Sequence, residues 1–174
     1  MTKLVGFPET VNDTSARIVA AGAVTMAVLY SSTGWGWVLV PLTYGFVARV
    51  LSGPRFSPLG LLATRVITPR LTRIAPKILP GAPKRFAQGI GATFTVTASV
   101  LFVLDLTVAS RTVVAALAAA AFLEAAFGFC LGCKAFAILM RIGVIPESVC
   151  EACNDISLRV TTAPRTDAQP VVHA

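Results

Sequence analysis

The stretch Ile18–Ala48, IVAAGAVTMAVLYSSTGWGWVLVPLTYGFVA, contains no Asp, Glu, Lys or Arg. It is longer than the ~20 residues needed to cross a hydrocarbon core of about 30 Å. Ser31-Ser32-Thr33-Gly34 interrupts it with turn-forming residues. The stretch therefore reads as a helical hairpin. Its first arm starts at Asn12 or Asp13, either of which offers a side-chain oxygen to the free N–H groups of a first turn, and ends near Tyr30. Its second arm runs from about Trp35 to Leu51, with Trp35 and Trp37 where indoles favour the membrane interface. Each arm has about 17–19 residues, the short end of what spans a bilayer. Pro41 is expected to kink the second arm.

The rest of the chain agrees with a membrane reading. Of 174 residues, 55% are hydrophobic and 13% charged, and the mean hydropathy is +0.76. Soluble domains carry about 25% charged residues, so the polar side chains are too few to cover a water-facing surface. This points to one small integral membrane domain. The formal net charge of +7 sits between apolar runs, which reads as membrane orientation and contact with anionic headgroups, not as nucleic-acid binding. Met1–Arg17 carries Glu9 and Asp13 and lacks the compact apolar core of a cleavable signal. The first hairpin is expected to insert and stay.

Gly53-Pro54 closes the hairpin. Between Phe56 and Lys84 stand Pro58, Pro69, Pro76, Pro80 and Pro83, which rule out a continuous span. Leu59, Leu62, Val66 and Ile67 recur there at helical spacing among Arg65, Arg70 and Arg73. This predicts an amphipathic segment at headgroup level, with a solvated loop as the alternative. Helix three is expected from Pro83 to about Leu106, with Gly89 and Gly91 permitting close helix approach. Helix four is expected to run unbroken from about Thr112 to Met140, its small-sided Ala115–Ala121 stretch packed on a neighbour. The fold class that follows is all-α: a polytopic membrane protein with four transmembrane helices, arranged as two hairpins joined by a basic, Pro-rich interfacial segment. Residues 1–156 form the membrane domain and 157–174 a disordered cytoplasmic tail. The connection between helices two and three holds Arg49, Arg55, Arg65, Arg70, Arg73, Lys77, Lys84 and Arg85 and no acidic residue. By the positive-inside rule it faces the cytoplasm, as do both termini.

The four cysteines form two C-x-x-C pairs, Cys130/Cys133 and Cys150/Cys153. On the cytoplasmic side a static disulfide is disfavoured, because thiols there are kept reduced. One reading is a redox dithiol at Cys130 and Cys133, with Cys150 and Cys153 as the exposed pair that exchanges with a soluble protein. Inside a continuous helix four the first pair lacks the help a helix N-terminus gives a thiolate, and Lys134 is left as the nearest positive charge. Glu147, Glu151 and Asp155 surround the second pair and work against its reactivity. The alternative is a zinc site of all four cysteines, whose C-x2-C-x16-C-x2-C spacing suits tetrahedral coordination. The plainest reading makes Cys130 and Cys133 small apolar packing residues.

Glu124, a carboxylate within helix four, is a functional candidate because burying an acid at membrane depth is costly. Its expected partners are Arg17 or Arg111, or it is neutral, and a purely structural hydrogen bond is the alternative. Asp105 is expected to meet water or Arg111, and Gln88 to hydrogen-bond across helices. His173, the only histidine, lies in the tail.

The runs Pro83–Gly91 (PKRFAQGIG), Gly128–Cys133 (GFCLGC) and Ile145–Asn154 (IPESVCEACN) resemble the bacterial membrane family catalogued as domain of unknown function 4395. The resemblance covers residues 8 to 156, and Phe136 fits an aromatic preference three positions after the second cysteine. It implies a multi-pass inner-membrane protein of unassigned activity, and a second cysteine pair present in only some members. Three function classes follow. The first handles thiols, sulfur or electrons at Cys130 and Cys133 with a soluble thioredoxin- or rhodanese-like partner. The second is a non-enzymatic scaffold or accessory subunit holding zinc. The third is a sulfur-compound transporter, a homo-oligomer with Glu124 on its path.

Overall fold

The computed structural model describes residues 10–53, 56–70 and 78–146 of the chain. A short antiparallel ribbon pairs β1 (Thr10–Asn12) with β2 (Ile78–Pro80), matching Val11 to Leu79. Helix α1 (Asp13–Thr33) leaves β1 directly, and α5 (Gly81–Val103) leaves β2 directly. The ribbon, which the sequence reading did not anticipate, therefore starts these two helices at the same end of the molecule.

Asn12 caps α1, its Oδ1 accepting from Thr14 N–H at 2.9 Å. The helix ends at Gly34, whose left-handed φ of 74° lets its N–H reach the Tyr30 carbonyl at 2.8 Å. A 3-10 turn (Gly36–Val38) leads into α2 (Leu39–Ser52). Pro41 falls in the first turn of α2, where an N–H would have no α-helical acceptor. The expected interior kink is thus replaced by the 3-10 turn ahead of it. Trp35 and Trp37 stack at a centroid distance of 6.1 Å and are both exposed.

After α2 the chain is helical from Pro58 to Arg70: α3 (Pro58–Leu61), a π-helical turn (Leu62–Ile67) and α4 (Thr68–Arg70). Gly60 and Ala63 are buried while Leu62, Arg65 and Val66 are exposed. The segment is helical as its spacing predicted, but its packed face is narrower than the apolar stripe. Arg73 lies outside the described residues.

Helix α6 (Thr107–Phe127) follows α5 after the turn Leu104–Leu106, and α7 (Leu131–Arg141) follows α6. The expected continuous fourth helix is therefore two helices. Gly128 ends α6 with φ 68°, its N–H on the Glu124 carbonyl at 2.9 Å. A left-handed residue cannot continue a right-handed helix, and glycine takes that conformation without the Cβ penalty.

Packing follows from this order. α1 lies chiefly on α6, α2 on α5, and α5 on both α6 and α7. Val114, Leu117, Ala118 and Ala121 form the buried face of α6 at helical spacing. Tyr30 is fully buried in the core formed with Leu42, Val38 and Val114. Its hydroxyl lies 2.6 Å from Ser110 Oγ, and Ser110 donates to the Ala98 carbonyl at 2.7 Å. Since Ser110 has one proton, Tyr30 is the donor in that pair, and three helices are tied by two bonds. Gly91 meets the Phe46 ring where α5 packs on α2, whereas Gly89 has no neighbour within 4 Å of an added Cβ, so only one of the two glycines serves close approach.

Two arginines tie α1 to α6. Arg17, one turn into α1, donates to the Ala125 and Ala126 carbonyls at 3.1 and 2.7 Å. Arg111, one turn into α6, donates to the Ser31 and Ser32 carbonyls at 2.8 Å each. Each arginine satisfies the last carbonyls of the other helix, where helix dipoles favour a cation. Helices α1, α5 and α6 are long and apolar enough to cross a membrane, at 21, 23 and 21 residues. The 3-10 turn and α2 together (Gly36–Ser52) make a shorter apolar segment. Outward-facing Val28, Val100, Val108 and Phe122 remain more than half exposed.

Candidate functional site

The shared start of α1 and α5, and the return of α6 toward it, bring one cluster together at that end of the bundle. Gly128 stops α6, two residues turn the chain, and Cys130 becomes the N-cap of α7 in extended backbone, φ −88° and ψ 105°. Its Sγ accepts from the Cys133 N–H at 3.4 Å. The pair expected inside a helix thus stands at a helix N-terminus, where free N–H groups and the dipole favour a thiolate. The sequence reading missed this because an unbroken apolar run hid the helix stop at Gly128.

Both cysteines are free thiols, Cys130 buried and Cys133 partly so. A hydrogen bond between the two thiols, with a smaller contribution from the Cys133 N–H, pushes the Cys130 thiol below its ordinary range, against the opposing effect of burial. The same bond, with burial second, pushes Cys133 up. The two thiols are therefore unequal, Cys130 the more acidic and Cys133 the less.

Helix α7 is held to α5 at this point. A Cβ on Gly132 would stand 2.6 Å from the Ala87 Cα, so no side chain fits between the helices. Phe136 packs on Phe86 at a centroid distance of 5.6 Å. Lys134 is exposed, with Nζ 5.6 Å from the Phe129 ring centroid. The positive charge acting on both thiols is instead Lys84, on α5.

Lys84 forms an ion pair with Glu124, their side chains 4% and 13% exposed. The expected partners Arg17 and Arg111 are committed to helix ends, as above. In the sequence Lys84 reads only as an orientation charge. A clue lay in its position: a cation in the first turn of α5 opposes the helix dipole and calls for a compensating partner. One turn on, Gln88 accepts from Arg49 Nε at 2.8 Å, the cross-helix bond expected of it. Arg49 is 5% exposed, lies 4.5 Å from the Phe46 ring centroid and donates to Ser57 Oγ at 3.3 Å. In the sequence it too reads only as a topology signal. Asp105 lies in the exposed turn at the opposite end, with φ 59°.

Arg49, Gln88, Glu124 and Cys130 line one cavity of about 260 Å³, walled otherwise by apolar residues of α1, α2, α5, α6 and α7. One buried cation, one amide, one carboxylate and one thiol thus face it, with Lys84 and Cys133 outside the lining. Cys150, Cys153, Glu147, Glu151, Asp155 and His173 lie outside the described residues, as does the expected tail. The zinc expectation therefore has two of its four sulfurs, Cys130 and Cys133, in view. Among the described residues no group of three or more His, Cys, Asp or Glu is gathered for a metal.

No curated protein and no solved structure matches the chain. The family model described as "Domain of unknown function (DUF4395)" matches residues 11–141, which take in α1 through α7 and the whole cluster. By that match, over most of its length, the chain belongs to the family of domain of unknown function 4395.

Proposed function

We propose that this chain is a multi-pass inner-membrane protein whose Cys130/Cys133 dithiol exchanges electrons with a soluble thioredoxin- or rhodanese-like protein in the cytoplasm. Four crossing segments carry it: α1, the Gly36–Ser52 segment, α5 and α6, paired as two hairpins about the basic, Pro-rich connection. The apolar outer surfaces of the three longest helices support this placement, since outward Val, Ile and Phe suit lipid. The end that carries Arg17, Arg49, Lys84 and Arg85 faces the cytoplasm by the positive-inside rule. The dithiol then lies at the inner leaflet.

The observation that carries the redox reading is Cys130 as N-cap of α7 with the Cys133 N–H on its sulfur. The lower-pKa sulfur is the attacking thiolate, and the neighbouring thiol resolves the intermediate. Facing an oxidised partner, Cys130 attacks one sulfur of the partner's disulfide and expels the other as thiolate. Cys133 then loses its proton, attacks Cys130 and releases the partner as a dithiol. Two electrons and two protons move, and the chain is left with a Cys130–Cys133 disulfide. The reverse sequence reduces the chain.

The test is a redox titration of purified chain against reduced and oxidised thioredoxin, with thiol counting by mass-tagged maleimide. The expected result is a reversible disulfide that is absent from Cys130→Ser and Cys133→Ser. Thiols that stay free at every ratio overturn the reading. One zinc per chain with all four thiols shielded overturns it in favour of the metal scaffold.

A further inference from the structure

We propose that the cavity beside Cys130 is a quinone site, and that the dithiol passes its electrons to a lipophilic quinone. The inference rests on the dithiol reading above and names the second substrate of that site.

The cavity joins two environments. Its walls include the Phe46 and Phe94 rings, Val19 and Leu117, which suit an apolar ring. Its polar lining is confined to Arg49, Gln88, Glu124 and Cys130. At about 260 Å³ it is just under the ~300–1,000 Å³ of pockets for drug-sized ligands, so it takes one ring-sized group. Ile90 and Leu131, 36% and 45% exposed, also line it and mark its rim on the outer surface of the bundle. In the membrane reading that rim opens toward lipid, which gives an isoprenoid or alkyl tail a way out.

The electrostatics select the same class. Among the described residues around the dithiol, Arg49 and Lys84 face one carboxylate, Glu124, so these buried charges leave an excess of one cation. A quinone ring gains negative charge on its oxygens as it is reduced, and a preorganised cation and an amide stabilise that charge where it develops. A small inorganic anion would use the charge but not the aromatic walls. A fatty acyl chain would use the walls but neither the dithiol nor the buried arginine.

The step balances. Two S–H bonds break, one S–S bond forms between Cys130 and Cys133, and two electrons and two protons go to the quinone. Its two carbonyl oxygens become the hydroxyls of a quinol. The soluble thiol partner then reduces the disulfide for the next turnover.

The experiment uses the full chain in lipid nanodiscs, reduced beforehand, with a short-chain ubiquinone analogue as probe. Quinone absorbance and the thiol count are followed together. One quinone reduced per Cys130–Cys133 disulfide formed is the expected result. Ala120→Phe, a partly buried wall position, is expected to slow that reaction at least tenfold, while Ala119→Phe, exposed and outside the cavity, leaves it unchanged. A dithiol that exchanges with thioredoxin but reduces no quinone overturns the quinone site and leaves the dithiol reading intact. A dithiol inert to both partners overturns both. If Ala120→Phe fails to fold, melting of Cys133→Ser with the same probe decides: a concentration-dependent rise supports the site, and no shift at saturating probe overturns it.

Discussion

Replacing Glu124 by Gln removes, among the described residues, the one carboxylate of a cluster that holds two buried cations. Lys84, with a side chain 4% exposed, loses its ion-pair partner, and Arg49, 5% exposed, loses the nearby negative charge. Breaking a buried pair by removing one member costs about 3–5 kcal/mol, because the other charge is left uncompensated. Glu124→Gln belongs at the top of that range, since two cations are stranded. Lys84→Met belongs at the bottom, since Glu124 keeps Arg49 as a counter-charge. In Lys84→Met/Glu124→Gln neither stranded member of the pair remains, and the two changes should be non-additive by about 1–3 kcal/mol. At ~2–4 °C per kcal/mol for a chain of this size, the single variants melt roughly 6–20 °C lower. The double variant recovers roughly 2–12 °C of the summed loss. The assay is heat treatment of detergent-purified protein followed by size-exclusion detection of the surviving fold. Additive single effects, or a larger cost for Lys84→Met than for Glu124→Gln, would refute the placement of this pair as the charge balance of the site.

Gly128→Ala places a Cβ at φ 68° and should cost ~1–2 kcal/mol, with Gly128→Asn milder, read as melting shifts. Gly132→Ala forces α7 off the Ala87 backbone at a cost of ~1–3 kcal/mol. It should also speed alkylation of Cys130; an unchanged rate would count against close docking there. In the unmodified chain the thiolate fraction of Cys130 rises at lower pH than that of Cys133, because the bond between them lowers one and raises the other. A small alkylating reagent mapped by mass spectrometry across neutral pH should label Cys130 first, and equal labelling would sink the asymmetry. Arg17→Gln and Arg111→Gln each lose two bonds to helix-end carbonyls and should cost ~1–3 kcal/mol apiece. Their sites lie at opposite ends of helices about 30 Å long, so the double variant should be additive.

Much of the fold was legible because it is written in short-range chemistry. The Asn12 cap, the break after Ser31-Ser32-Thr33-Gly34 and the start of a long helix near Pro83 depend on neighbours a few residues apart. Gln88 as a cross-helix bond was readable from a lone amide in an apolar helix. The fourth helix was misread because Gly128 lies in a run whose composition does not change across it. Glycine stops a helix only if it takes a left-handed φ, and hydropathy carries no trace of that choice.

Charge-poor runs and their turn residues were sufficient to declare long apolar helices, because burial in lipid or core demands them whatever the partners. The C-x-x-C spacing marked Cys130 and Cys133 as candidates for chemistry. Which carboxylate meets which cation was settled only in three dimensions. The Val11–Leu79 ribbon starts α1 and α5 at the same end, α6 returns between them, and Lys84 is carried to Glu124 across 40 residues of chain. No spacing rule reaches that far, since contacts between helices depend on which faces pack, and a single tight approach such as Gly132 on Ala87 decides the register.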